Sequence, residues 1–267
     1  MKYSAKEEKQ LMTEIWSLNV KDDPLNFVKF AFPWGMKDTP LEDFKGPRKW
    51  QEKILREITI HIARNGTKDL PEMFRMAVAS GRGIGKSALV SWLILWMLST
   101  RLGATIIVTA NTEQQLRSRT WAELGKWMTL SINSHWFHKT ATTIKPAPWF
   151  QEALERDLKI DTGYYYAQAQ LWSEENPDAF AGIHSSYGVC LIMDEASGIP
   201  APIYSVSEGF FTEPTQNRYW FTFSNPRRNT GPFYDSFHAK KSFWQNLQID
   251  SRTVEGTDQK LFQSMIE

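Results

Sequence analysis

The chain has 267 residues, and Lys+Arg 31 against Asp+Glu 30 leaves a formal net charge of +1. With 42% hydrophobic and 23% charged residues, the composition excludes a disordered polyelectrolyte, a collagen-like fibre and a disulfide scaffold. At about 150 residues per domain the length fits one large domain, or one domain with an appendage.

The N-terminal ten residues, Met1 to Gln10, carry charges of both signs and no apolar core, so secretion is not expected. Residues 1–60 contain Pro24, Pro33, Pro40 and Pro47, which predict short helices joined by irregular connections. Lys49 to Ala63 reads as a helix, because Trp50, Ile54, Leu55, Ile58 and Ile62 recur at three- and four-residue steps. Four apolar, β-branched segments follow as predicted strands: Phe74–Ala79, Thr105–Ala110, Gly188–Met193 and Arg218–Phe223. Helical patterns at Gly85–Thr100 and Thr112–Ser131 separate and follow the first two, and the second sets Leu116, Thr120, Leu124 and Trp127 on one face. Alternating strand and helix predicts a parallel α/β sheet. Between residues 133 and 187 the pattern supports only a helix near Gln151–Leu158. The apolar run Ala88–Leu98 is shorter than the roughly 20 residues that span a bilayer, and it reads as a buried helix. The single cysteine, Cys190, lies inside the third strand, where a thiol behaves as a small hydrophobe; a reducing compartment fits.

The run Ala79-Ser-Gly-Arg-Gly-Ile-Gly-Lys-Ser87 sits between a predicted strand and a predicted helix. It reads as a phosphate-binding (Walker A) turn. Glycines let backbone N–H groups converge on phosphate oxygens, and the following helix adds its N-terminal dipole. Ser80, Gly81, Arg82, Gly83, Gly85, Lys86 and Ser87 are therefore candidate nucleotide-binding residues, with Lys86 on the β/γ-phosphates and Ser87 on Mg²⁺. The pattern departs from the usual one where Ser80 replaces the first glycine. From the turn alone, Arg82 is equally a γ-phosphate contact acting in cis or an exposed loop arginine.

Val189 to Ala196 is a buried-type strand ending in two carboxylates, a Walker B pattern. Asp194 is the candidate Mg²⁺ ligand and Glu195 the candidate base that orients and deprotonates water. The adjacent carboxylates favour a hydrolysing ATPase over a nucleoside kinase. Ser224 and Asn225, at the end of the fourth strand, read either as γ-phosphate sensors or as an ordinary Asn-Pro turn. Gln51 offers an amide able to pair with an adenine edge, although a helix start explains it as well.

Taken in order, Ser80–Ser87, Val108–Leu116, Trp172–Gly182, Leu191–Ala196 and Phe223–Pro226 resemble the N-terminal ATPase domain of the large terminase subunit of tailed double-stranded DNA bacteriophages. The resemblance implies a three-layer α/β/α P-loop ATPase of the additional-strand, catalytic-glutamate type with a mainly parallel sheet and a helical N-terminal lid. It implies ATP and Mg²⁺ as cofactors, catalytic roles for Glu195, Lys86 and Arg82, a coupling role for Ser224-Asn225 and adenine contact by Gln51. The partners implied are double-stranded DNA, the portal protein, the small terminase subunit and further copies in a ring; the isolated domain is compatible with a monomer, and no membrane is involved. The implied location is the cytoplasm of an infected or lysogenic bacterial host. The expected organisation is a lid over residues 1–60, a P-loop core over 61–249, and a linker beginning at 250–267 toward a nuclease domain expected outside this chain.

Charge is uneven along this plan. From Arg101 to Lys145 six bases face two acids, and from Thr215 to Gln245 five bases face one. Arg117, Arg119, Arg227 and Arg228 are thus candidate phosphate contacts for DNA, though solvated faces explain each block equally. Two other function classes remain: a helicase-like DNA-dependent ATPase, and a non-hydrolysing nucleotide-gated DNA-binding module. A metal hydrolase built on His135 and His138 lacks a nearby third ligand.

Overall fold

The computed structural model describes residues 3–264. Eight strands pair into one sheet: β1 (Phe74–Ser80), β2 (Thr105–Ala110), β3 (Phe137–Lys139), β4 (Thr143–Pro146), β5 (Tyr166–Ala169), β6 (Val189–Asp194), β7 (Arg218–Ser224) and β8 (Gln245–Ile249). Their order is β3-β4-β5-β2-β6-β7-β1-β8. The six strands from β5 to β8 run parallel, and the β3–β4 hairpin adds antiparallel to β5. Because β2, β6 and nearly all of β1 and β7 are buried on both faces, they read as continuous apolar runs. β7 lies between β1 and β6, which is the additional-strand arrangement.

Alternation along each strand divides the core into two layers. Phe74, Met76 and Val78 of β1, with Tyr219, Phe221 and Phe223 of β7, face one layer. That layer is roofed by α1 (Ala5–Ile15), α2 (Leu18–Lys21), α3 (Pro24–Ala31), α4 (Lys49–Asn65) and α5 (Lys86–Thr100). It also contains a continuous helical segment made of α6 (Glu113–Gln115), a π-helical turn (Leu116–Trp121) and α7 (Ala122–Leu130), followed by α8 (Pro148–Asp157). Ala77, Leu191, Met193 and Trp220 face the opposite layer, beneath α9 (Ala201–Ser207) and α10 (Pro232–Phe237). A short α11 (Gln259–Ser264) follows β8. Among the described residues no helix is long and apolar enough to cross a membrane; α5 is apolar because every residue from Leu89 to Thr100 is buried.

Three expectations change. The segment 133–187 supplies β3, β4 and β5 as well as α8; strands of three and four residues are too short for periodicity to reveal. The boundary at residue 60 falls inside α4, and α1–α3 are packed into the same core as the sheet: Ile15, Phe27 and Val28 are fully buried. Residues 250–257, expected as linker, fold back, with Val254 buried and the Glu255 carboxylate accepting the Lys49 N–H at 2.5 Å.

The N-terminal helices are fastened by polar contacts too. Trp16 Nε1 donates to the Ser99 carbonyl (3.0 Å), and Arg101 bonds the Lys21 carbonyl (2.7 Å) and Asp22 (2.9 Å). The buried carboxylate of Glu8 accepts from Trp136 Nε1 and pairs with His135 Nε2 at 2.7 Å. Glu8→Ala orphans the Trp136 indole, which costs about 2–3 kcal/mol, and so lowers the thermal midpoint by roughly 5–10 °C for a chain of this size. A calorimetric scan checks this, and an unchanged midpoint means that α1 is not part of the cooperative unit.

Candidate functional site

β1 ends at Ser80 and the chain turns through Gly81–Gly85 into α5. Gly83 and Gly85 take φ of 72° and 95°, a backbone that residues with a Cβ rarely adopt, and a Cβ on Gly85 would also lie 2.8 Å from Gln51 Nε2. Gly85 is the N-cap of α5 and contributes no side-chain hydrogen bond, so the first N–H groups of a 15-residue helix are available to an external anion. Lys86 Nζ donates to the Gly81 carbonyl at 2.7 Å. Burial lowers the Lys86 pKa, helped by Arg82 and Arg227, while Glu195 and Asp194 oppose the shift.

Asp194 is buried at the end of β6. Its Oδ2 accepts from Thr120 Oγ1 (2.8 Å) and its Oδ1 from the Glu195 N–H (3.0 Å). Burial holds its pKa above the usual carboxylate range; the Thr120 hydroxyl and Lys86 pull the other way, and Glu195 adds to the rise. Glu195 is left-handed (φ 51°, ψ 41°), a conformation costing a residue with a Cβ about 1 kcal/mol. The kink turns the chain sharply out of the strand. A cleft of about 400 Å³ is lined by Arg82, Lys86, Ser87, Asp194 and Glu195 together with Gln115, Arg119 and Glu123 from the π-turned helix. With Gly83 and Gly85, which also line it, seven predicted site residues therefore meet in one place.

Ser80 is buried, with Oγ toward the Gly81 carbonyl (3.3 Å). Ser224 is also buried and laced to the turn after Glu195. The Ser197 N–H donates to Ser224 Oγ (3.1 Å), Ser224 Oγ to Ser197 Oγ (2.8 Å) and Ser197 Oγ to the Asn225 carbonyl (3.1 Å). The sequence carries no signal for Ser197 and marks Thr120 only as a member of a helix face, a hydroxyl among apolar residues.

Gln51 is 2% exposed, its Oε1 accepts the Arg48 N–H (2.8 Å) and its Nε2 donates to the Gly85 carbonyl (2.8 Å). One end of the amide holds the start of α4 and the other the phosphate turn, so Gln51 joins these two segments; it also lines the apolar pocket beside Gly85. Among the arginines suggested for DNA, Arg119 lines the cleft, and Arg117 pairs with Glu113 at the surface (2.7 Å). Arg227 and Arg228 line a separate, larger recess of about 980 Å³ together with Asn225 and with Ser80 and Gly81 of the phosphate turn. His135 is engaged with Glu8 and His138 is exposed on β3. No group of three or more metal-ligating side chains occurs among the described residues.

No protein-family model matches the chain. A probable terminase large subunit of Enterobacteria phage P7 is 29% identical over 170 residues, which is 61% of this chain and 31% of that protein. In fold, the large terminase of a thermophilic bacteriophage superposes with a TM-score of 0.51 at 14% identity, covering 82% of this chain and 50% of the other. A second crystal form of that protein, in complex with ADP, gives 0.45 at 13% identity, over 66% of this chain and 40% of that one. The chain resembles large terminases. It corresponds to about a third of its relative from Enterobacteria phage P7.

Two measurements probe this geometry. Since burial raises the Asp194 pKa, the folded chain holds its proton to higher pH than the unfolded chain, and the stability due to this group is lost as pH rises above about 3.8. Asp194→Asn removes that cost, so the midpoint at pH 7 rises by about 2–4 °C per kcal/mol relieved and the gain shrinks below pH 4; a lowered midpoint contradicts it. Gln51→Ala leaves the Gly85 carbonyl and the Arg48 N–H without this partner, which costs about 1–3 kcal/mol and lowers the thermal midpoint by roughly 2–10 °C; an unchanged midpoint means that the amide does not hold the turn.

Proposed function

We propose that the cleft binds ATP with Mg²⁺, hydrolyses it, and thereby drives double-stranded DNA into a viral procapsid. The observation that carries the reading is the meeting of Lys86, Asp194 and Glu195 at the end of a sheet in which one strand separates the phosphate turn from the acidic strand. The polyphosphate would lie on the free N–H groups of Gly81–Ser87 and on Lys86. A buried carboxylate short of compensating charge, facing a half-buried Ser87 hydroxyl across the cleft, suits a divalent cation. Ser87 and Asp194 would hold Mg²⁺, which supplies positive charge to the phosphates.

Glu195 takes a proton from water as the water oxygen bonds to the γ-phosphorus. The bond from that phosphorus to the β–γ bridging oxygen breaks, its electron pair stays on ADP, and inorganic phosphate leaves. Arg82, exposed on the turn, meets charge developing on the γ-phosphoryl. Ser224 and Asn225 carry the change from the Glu195 turn through Ser197 toward Arg227 and Arg228, whose exposed side chains would meet DNA phosphates. The base has an apolar pocket of about 170 Å³ beside Gly85 and Arg48, walled by Trp34, Phe44, Trp92 and Trp127. Within the motor the chain would act as one of a ring of copies on a portal protein, with the small terminase subunit, in the cytoplasm of the bacterial host.

The test is Mg²⁺-dependent ATP hydrolysis with and without long double-stranded DNA. Wild type turns over, DNA stimulates it, and Glu195→Ala loses about 10²-fold or more of kcat. Wild type that binds ATP tightly without turnover would make the protein a nucleotide-gated binder instead.

A further inference from the structure

The wall of the cleft opposite the phosphate turn is built by a helix that changes pitch. Leu116–Trp121 is a π-helical turn, a feature frequent at functional sites. Its i→i+5 bonding brings positions 115 and 120 over one another, so the adjacent residues 119 and 120 both face the site. Thr120 points down to bond Asp194, and Arg119 lines the cleft beside it. Arg119 is exposed, and among the described residues no ion pair engages it; its neighbour Glu123 is occupied by Trp127 Nε1 (2.8 Å) and Lys126 (3.6 Å). One turn earlier, Gln115 lines the same cleft, and its side-chain oxygen is buried without a hydrogen-bond partner. A buried acceptor left unpaired costs about 1–3 kcal/mol, and a donor from a bound molecule removes that cost.

We propose that Gln115 and Arg119 form a γ-phosphate-sensing wall: the Arg119 guanidinium pairs with γ-phosphoryl oxygens, and the Gln115 oxygen accepts a hydrogen bond from the attacking water. The proposal rests on the ATP-hydrolysing reading of this cleft. A planar fork of donors suits phosphate oxygens, and an unpaired acceptor lining the same cleft as Lys86 suits a water that attacks the phosphorus. The wall faces the third phosphate, so it distinguishes ATP from ADP. Thr120, on the same turn, ties the wall to Asp194, so γ-phosphate contact and cation site share one rigid element.

The test is titration of the 267-residue chain with AMP-PNP and with ADP, both with Mg²⁺, alongside kcat for ATP. Arg119→Ala is expected to weaken AMP-PNP by about tenfold or more while leaving ADP within about twofold, and Arg119→Lys regains part of the loss. Gln115→Ala is expected to leave AMP-PNP affinity within about threefold and to lower kcat by roughly 10²-fold. Equal loss for both nucleotides, which a folding defect would give, overturns the proposal. So does unchanged AMP-PNP affinity with weakened binding to double-stranded DNA, which would make Arg119 a DNA contact. Wild type that binds neither nucleotide overturns the ATP reading itself, whereas wild type that binds both with no selective loss in the variants overturns the sensing wall alone.

Discussion

The arrangement hinges on a carboxylate kept out of water. Asp194 is 8% exposed at the end of β6, and such a group persists as an anion only when its surroundings stabilise it. The surroundings come from three separate parts of the chain: the Thr120 hydroxyl from the helix after β2, the Glu195 N–H from the strand's own kink, and Lys86 from the helix after β1. Even with these partners, burial keeps its pKa raised. The left-handed turn at Glu195 belongs to the same constraint, because it directs one N–H back to Asp194 while its own side chain lines the cleft.

Beside that carboxylate, hydrogen bonds tie the turn after β6 to the end of β7. Ser197 joins the Glu195 turn to Ser224 and Asn225, and β7 then delivers Arg227 and Arg228 to a recess whose floor includes Ser80 and Gly81. Gly81 in turn touches Ser251 after β8. Inserting β7 between β1 and β6 is what makes this geometry available. β7 is parallel to both neighbours, so its C-terminal residues emerge at the same sheet edge as the phosphate turn and Asp194.

The parts legible in the sequence are those whose chemistry is local. The phosphate turn needs its glycines in closely spaced positions, and the Asp194-Glu195 pair is announced by a fully apolar strand before it, so both emerge from short windows. The strands β1, β2, β6 and β7 are visible for the same reason, being buried on both faces. What stays hidden depends on partners distant in sequence. Thr120 looks like a core-face residue until Asp194, 74 positions away, comes to lie under it. Gln51 carries the right amide for adenine, and only the fold reveals its bonds to Gly85 and Arg48. β8, Gln-Asn-Leu-Gln-Ile, has almost no apolar pattern because it is an edge strand and half exposed, so the fold-back at Ser251 and Glu255 had no precursor signal.

These contacts bear on which segments are free to move during turnover. α1 to α3 bury Ile15, Phe27 and Val28 completely and anchor to α5 and to the β3–β4 region through Trp16, Arg101 and Glu8. Releasing even two such side chains costs about 3–6 kcal/mol of apolar burial, a large fraction of the stability of a domain. A lid made of the whole segment 1–60 would therefore be expensive to open. The connection between α3 and α4 is different: Met36 and Phe44 are 60% and 52% exposed, and Phe44 lines the aromatic pocket beside Gly85. Less apolar surface is buried there, so that short connection is easier to displace than α1–α3. Gln51, at the start of α4, bonds both the Arg48 N–H and the Gly85 carbonyl, and so ties the end of that connection to the phosphate turn.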